Sequence, residues 1–93
     1  MFDGHTILHR SEKIHTRRVD EDTVAFHPDR GEYFAMGAVG SRVWDLLAEP
    51  TTFEDLCDRL VEEFGVDRST CARDVTVFLT ELRAAQMLRE PAP

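Results

Sequence analysis

Two thiols, four imidazoles and a scatter of carboxylates are the side chains of this sequence that can do covalent or metal chemistry. Cys57 and Cys71 each stand inside an apolar helical pattern, and burial keeps a thiol protonated and inert. Pairing Cys57 with a distant histidine as nucleophile and base therefore fails on burial. Two readings of the cysteines follow, reduced thiols of a cytosolic protein or a disulfide between neighbouring helices. His5-x-x-x-His9, with Asp3 and His15 nearby, has the spacing of two ligands on one helix face. That segment lacks the apolar period that would form the helix, so no metal site is expected. There is no Cys-x-x-Cys, no glycine-rich phosphate loop and no Ser-His-Asp spacing. The chain is read as a non-enzyme without metal or cofactor. What remains is main-chain chemistry. The aromatic run Glu32-Tyr33-Phe34-Ala35-Met36, if left at a sheet edge, offers amides and carbonyls to an incoming peptide.

The neighbouring elements decide whether that edge exists. Ile14 to Val19 and Thr23 to Phe26 carry β-branched and aromatic residues around a charged turn, Asp20-Glu21-Asp22, which predicts a hairpin. His27-Pro28-Asp29-Arg30-Gly31 reverses the chain again, since Pro28 removes a ladder donor and Gly31 permits positive φ. Glu32 to Met36 returns as a third strand, with Phe34 and Met36 on one face and Tyr33 and Ala35 on the other. Consecutive hairpins place this strand at an edge, unless a C-terminal strand covers it.

From Ala38 the apolar period becomes helical, with Val39, Val43, Trp44 and Leu47 on one stripe and a stop at Glu49-Pro50. Thr51 and Glu54 form a capping-box pattern. The helix they open places Phe53, Leu56, Cys57, Leu60, Val61 and Phe64 on one face and closes at Gly65. Asp67 caps a third helix that buries Cys71, Val75, Phe78, Leu79 and Leu82 and fades near Met87. The expected organisation is a flexible arm over 1–12, ordered at most around Ile7-Leu8, a domain over 13–89 and a tail over 90–93. The fold class is α+β: winged helix-turn-helix-like, a three-stranded antiparallel sheet followed by three helices.

Ninety-three residues make one domain, and 42% hydrophobic with 31% charged residues is a globular composition. The net charge of -7 and a pI near 4.9 repel phosphate backbones and suit partners carrying Lys or Arg. No run of about 18 apolar residues is present to span a membrane. Asp3, His5 and His9 interrupt any signal-peptide centre, so a cytoplasmic location is expected. The alternative class is a winged-helix DNA-binding transcription regulator, whose recognition helix would be basic. Here the third helix sets Asp67, Asp74 and Glu81 beside Arg68, Arg73 and Arg83. Arg10, Lys13, Arg17 and Arg18 form a modest basic cluster, either a solvated strand face or a dock for an acidic partner surface.

Three segments together resemble the PqqD-like family, whose domain is also called the RiPP recognition element. They are Gly-x-Tyr-Phe-x-Met at 31–36, Val39-Gly40-Ser41-x-Val43-Trp44-x-Leu46-Leu47, and Asp74-Val75-x-x-Phe78-Leu79-x-x-Leu82. The resemblance covers roughly residues 13–89, and Met36-Gly37 stands where the family usually has Leu-Asn. It implies a module that binds the leader of a ribosomally made precursor peptide as an extra antiparallel strand on the third strand, against the third helix. The Gly-x-Tyr-Phe run and Trp44 are most similar to the stand-alone members of lasso-peptide clusters. The partners this implies are the precursor leader peptide, a leader-cleaving cysteine protease and a macrolactam synthetase.

On this reading the peptide-binding residues are Glu32, Tyr33, Phe34, Ala35 and Met36 on the strand, with Asp74, Val77, Phe78 and Glu81 on the third helix. Phe78 is either core or the wall of an apolar pocket. The two helix acids either pair with basic leader side chains or stay solvated. Of Tyr33 and Phe34, one packs inward and the other stands outside. Trp44 is expected in the core.

Overall fold

A computed structural model of the chain describes residues 2–90. In chain order it contains β1 (Ile7–Arg10), β2 (His15–Val19), β3 (Asp22–His27), β4 (Glu32–Met36), α1 (Ala38–Leu46), β5 (Thr51–Thr52), α2 (Phe53–Phe64), α3 (Arg68–Ala84) and β6 (Leu88–Arg89). The strands form two antiparallel sheets, ordered β2-β3-β4 and β5-β1-β6. Along β3 the period-two pattern holds: Thr23, Ala25 and His27 are buried while Val24 and Phe26 are half-buried on the opposite face. The β2–β3 hairpin turns through Asp20 at φ 57°, a conformation Asp adopts more readily than most residues. At the β3–β4 turn the N–H groups of Arg30 and Gly31 both donate to the His27 carbonyl, at 3.2 and 2.8 Å. Gly31 takes φ 66° there.

The first hairpins and the three helices match the expected plan, and the rest of the chain corrects it. The segment read as an arm over 1–12 contains β1, the central strand of the second sheet. Ile7 and Leu8 pair with Thr52 and Thr51, and His9 and Arg10 pair with Arg89 and Leu88. Leu8 is fully buried, and Phe2 stacks on Phe53 at 6.4 Å. A four-residue strand with one buried side chain has no readable period, because its partners lie over 40 residues away. The N-cap of α2 is Thr52, whose hydroxyl accepts from the Asp55 N–H at 3.1 Å. It stands one residue past the expected Thr51, as the last residue of β5, directly before the helix. From residue 91 the expected tail lies outside the described residues.

α1 packs on the inner face of β2-β3-β4, while α2 and α3 pack on each other and against β5 and β6; Trp44, Leu47, Leu56, Leu60, Leu79 and Leu82 of this core are fully buried or nearly so. Trp44 ties the two sheets together. Its indole N–H donates to Thr16 Oγ1 on β2 at 3.1 Å, and the Arg10 guanidinium of β1 lies 5.1 Å over its ring. Gly65 ends α2 at φ 66°, and Asp67 caps α3 by accepting from Thr70 N–H at 3.2 Å. Cys57 and Cys71 are free thiols buried between α2 and α3.

Two outcomes are expected. Leu8→Ala should lower the unfolding free energy by about 2–5 kcal/mol, read from urea denaturation; a negligible change would mean β1 is not integrated into the core. Burial pushes the Cys57 thiol up to about 11, so iodoacetamide at pH 8 should label it only after denaturation. The same shift makes stability decline as pH rises from 9.0 towards about 11, where the unfolded thiol ionises first.

Candidate peptide-binding groove

β4 is paired to β3 along one side only. Its register runs from Glu32 opposite His27 to Met36 opposite Thr23. Among the described residues no other strand or loop hydrogen-bonds its far side. The C-terminal strand that could have covered this edge, β6, pairs with β1 instead. Alternate residues of β4 therefore present an unpaired N–H and C=O outwards.

α3 runs beside this rim. The Phe34 ring meets the Phe78 ring edge to face, with centroids 6.0 Å apart. Gly40 of α1 fixes how closely these parts approach: a Cβ there would stand 3.1 Å from Phe78 Cε1 and 3.3 Å from Met36 Cβ. Phe78 is thus wedged between Phe34 and the bare backbone of Gly40. Below it, where α1, α2 and α3 converge, an apolar groove of about 260 Å³ opens among Val39, Val43, Leu60, Phe64, Val75 and Phe78, with Asp74 on its lining. A bidentate pair braces α1 to α2 nearby, Arg42 Nε and Nη2 donating to Glu63 at 2.7 and 2.9 Å. The Arg42 guanidinium holds the Glu63 carboxyl below the usual carboxylate range.

The structure divides the expected residues. Phe34, Met36, Asp74 and Phe78 come together, with Phe34 and Phe78 in contact and the Met36 side chain buried beneath them. Tyr33 points to the other face of the sheet, is 72% exposed, and lies 4.7 Å from the Phe26 ring. Ala35 shares that outer face. The Glu32 carboxylate is bonded to Arg30. Val77 opens on the other flank of α3, into a depression shared with Phe2 and Phe53. Glu81 is exposed and has no cation within 4.0 Å among the described residues.

Sequence reading placed Val39 and Phe64 on buried stripes, but they are 45% and 42% exposed. They line the groove instead. Their signal was an excess: both stand at the ends of helical stripes whose other members already fill the core. Among the described residues no group of three or more His, Cys, Asp or Glu side chains is close enough to hold a metal ion. No helix there is long and apolar enough to cross a membrane.

The profile of the family described as Coenzyme PQQ synthesis protein D (PqqD) matches residues 22–88. TbiB1, solved in complex with the TbiA(beta) leader peptide, is 35% identical with a TM-score of 0.81, over 91% of this chain and 99% of that one. A lasso peptide synthetase B1 complexed with its leader peptide shares the fold at 21% identity and TM-score 0.76, over 88% of this chain and 96% of that one. The fold is also that of the PqqD truncation of Methylobacterium extorquens PqqCD, a stand-alone RiPP recognition element. There the identity is 16% and the TM-score 0.78, over 96% and 95% of the two chains. No curated protein sequence matches the chain. With most of its length matched by the family profile and a relative at 35% identity over nearly the whole chain, the protein belongs to the PqqD family.

Proposed function

We propose that this protein is a non-catalytic recognition element for the leader segment of a ribosomally synthesised precursor, as its likeness to the leader-bound TbiB1 supports, and a lasso-peptide precursor by the resemblance of its Gly-x-Tyr-Phe run and Trp44 to members of lasso-peptide clusters. The leader adds as a strand to the open side of β4 and seats apolar side chains against Phe34, Phe78 and the groove. The protein, working in the cytoplasm, then delivers it to a leader-cleaving cysteine protease and a macrolactam synthetase. The observation that carries the reading is an unpaired strand edge lying directly beside an apolar groove in a member of this family.

The magnitudes agree with that division of labour. Each ladder bond nets only about 0.5–1.5 kcal/mol after water is displaced, whatever the leader sequence. Each apolar side chain buried in the groove adds about 1.5–3 kcal/mol, while ordering the leader costs about 2–5 kcal/mol. A volume near 260 Å³ exceeds the roughly 150 Å³ that holds a benzene in an engineered cavity, so one or two side chains fit. The favourable end of these ranges, with two anchors seated, reaches micromolar affinity, about -8 kcal/mol. Asp74 and Glu81 add a preference for basic residues flanking the anchor.

The DNA-binding alternative loses support from the same helix. Arg68, Arg73 and Arg83 of α3 each lie against a carboxylate, Asp58, Asp74 and Glu90. They leave no free basic strip to neutralise phosphates.

Strand addition is tested at the edge itself. Ala35→Pro should lower the affinity for a fluorescent leader at least tenfold by polarisation, in a variant whose circular dichroism stays native. In the wild type, leader should slow hydrogen exchange at alternate amides of β4. Unaltered exchange there in a saturated complex would reject the mode. In the groove, Phe78→Ala should cost about 10-fold or more in leader affinity, whereas Val77→Ala on the other flank should change it less than twofold. Equal losses from the two would place the anchor elsewhere.

A further inference from the structure

Two buried thiols, Cys57 of α2 and Cys71 of α3, take no part in the peptide contacts proposed for the groove, yet one of them lines it. The Cys71 thiol donates to the Cys57 carbonyl oxygen across 3.9 Å, at a point where α2 and α3 pack directly on each other. A sulfur this near the backbone of the other residue needs little more than side-chain rotation to reach the roughly 2.05 Å of an S–S bond.

The two thiols are not equivalent. Cys57 is fully enclosed, whereas Cys71 is 4% exposed and stands on the groove lining with Leu60, Thr70 and Val75. Val39, Phe64 and Val66 are the exposed members of that lining. A small solute that enters past them meets the Cys71 sulfur and not Cys57. Burial, and after it the neighbouring Cys71, push the Cys57 thiol up to about 11. Cys57 therefore keeps its proton near neutral pH and is not the first of the pair to react.

We propose that Cys57 and Cys71 form a redox latch on the floor of the groove, closed by hydrogen peroxide reaching Cys71, and that closure weakens leader binding. The second half rests on the recognition reading above. Attack of the Cys71 sulfur on a peroxide oxygen breaks the O–O bond and leaves Cys71 as a sulfenic acid. The departing hydroxide takes the thiol proton and leaves as water. The Cys57 sulfur then attacks the Cys71 sulfur, forming the S–S bond and breaking the S–OH bond. That second hydroxide leaves as water with the Cys57 proton. Two thiols give up two electrons, and one peroxide becomes two waters. The new bond draws α3 towards α2 where both wall the groove. Cys71 and Phe78 lie about two turns apart on one face of α3, so the displacement reaches the anchor site. A space of about 260 Å³ has little room to give before a side chain no longer fits. Conversely, a leader seated in the groove covers Cys71 and shields it.

The test treats the reduced full chain with hydrogen peroxide, then reads the cysteine peptides by mass without reductant and leader affinity by polarisation. In the wild type the Cys57 and Cys71 peptides should become linked, with the loss of two hydrogens. Fluorescent leader should then bind at least fivefold more weakly, and dithiothreitol should restore both properties. Saturating leader should slow the linkage at least fivefold. Cys57→Ala should stop at a sulfenic acid on Cys71 that dimedone traps, and Cys71→Ala should leave Cys57 unoxidised. Should either variant fail to fold, the wild-type measurements decide alone. Oxygen added to Cys71 without a link, no reaction in the folded protein, or a link that changes leader affinity less than fivefold each overturns the proposal. Failure of the recognition reading shows separately, as a reduced wild type that does not bind leader, while the linkage is judged by mass.

Discussion

The approach of Phe78 to the backbone of Gly40 is the constraint on which the working surface depends. With no side chain at residue 40, α3 lies close enough for Phe78 to reach Phe34 at 6.0 Å. The rim of β4 and the helix thereby become two walls of one cleft. A methyl group at this point would press on an aromatic ring and on Met36 Cβ at once, and packed interiors absorb such intrusions poorly. Gly40 acts by omission, as glycines do where two elements must touch.

The same packing leaves the groove open. The α2 stripe fills the core with Leu56, Cys57 and Leu60, then continues to Phe64, which projects past the core and lines the groove. Gly65 and Asp67 turn the chain within three residues, so α3 starts across the mouth of the space and does not fill it. Arg42 and Glu63 brace α1 against α2 at its edge. The groove is thus a product of helix lengths and caps.

Legibility in the sequence followed the range of the interactions. β3 and β4 were readable because alternation and the Pro28–Gly31 turn are local, and the edge position of β4 followed from two consecutive hairpins. The caps at Gly65 and Asp67 were readable for the same reason. The β5-β1-β6 sheet was not: Leu8 and Met87 are buried in segments too short to show a period, and pairings across half the chain hold them. That sheet contains both Thr51 and Thr52, and the α2 cap is the second of them. Tyr33 and Phe34 could be divided between two faces but not assigned, since alternation is indifferent to which face is the core. Ala25, fully buried opposite Phe34, makes the assignment, and only tertiary packing supplies it. Val39 and Phe64 were misplaced because helical periodicity marks apolar stripes without saying which members the core has room to cover.

An open strand edge is a hazard to any soluble chain, since it pairs with whatever strand arrives. Here the hazard is limited by means that also favour a specific guest. β4 is only five residues long, so two or three residues can face outwards, and a bare ladder without side-chain anchors gains little beyond the cost of ordering the visitor. The net charge of -7 holds copies of the chain apart. An accidental strand therefore dissociates. A peptide that also fills the space beneath Phe78 gains several kcal/mol that the ladder alone cannot supply. In the proposed mode selectivity resides in the groove and reach in the main chain, and shortening β4 or filling the groove would remove one of them without the other.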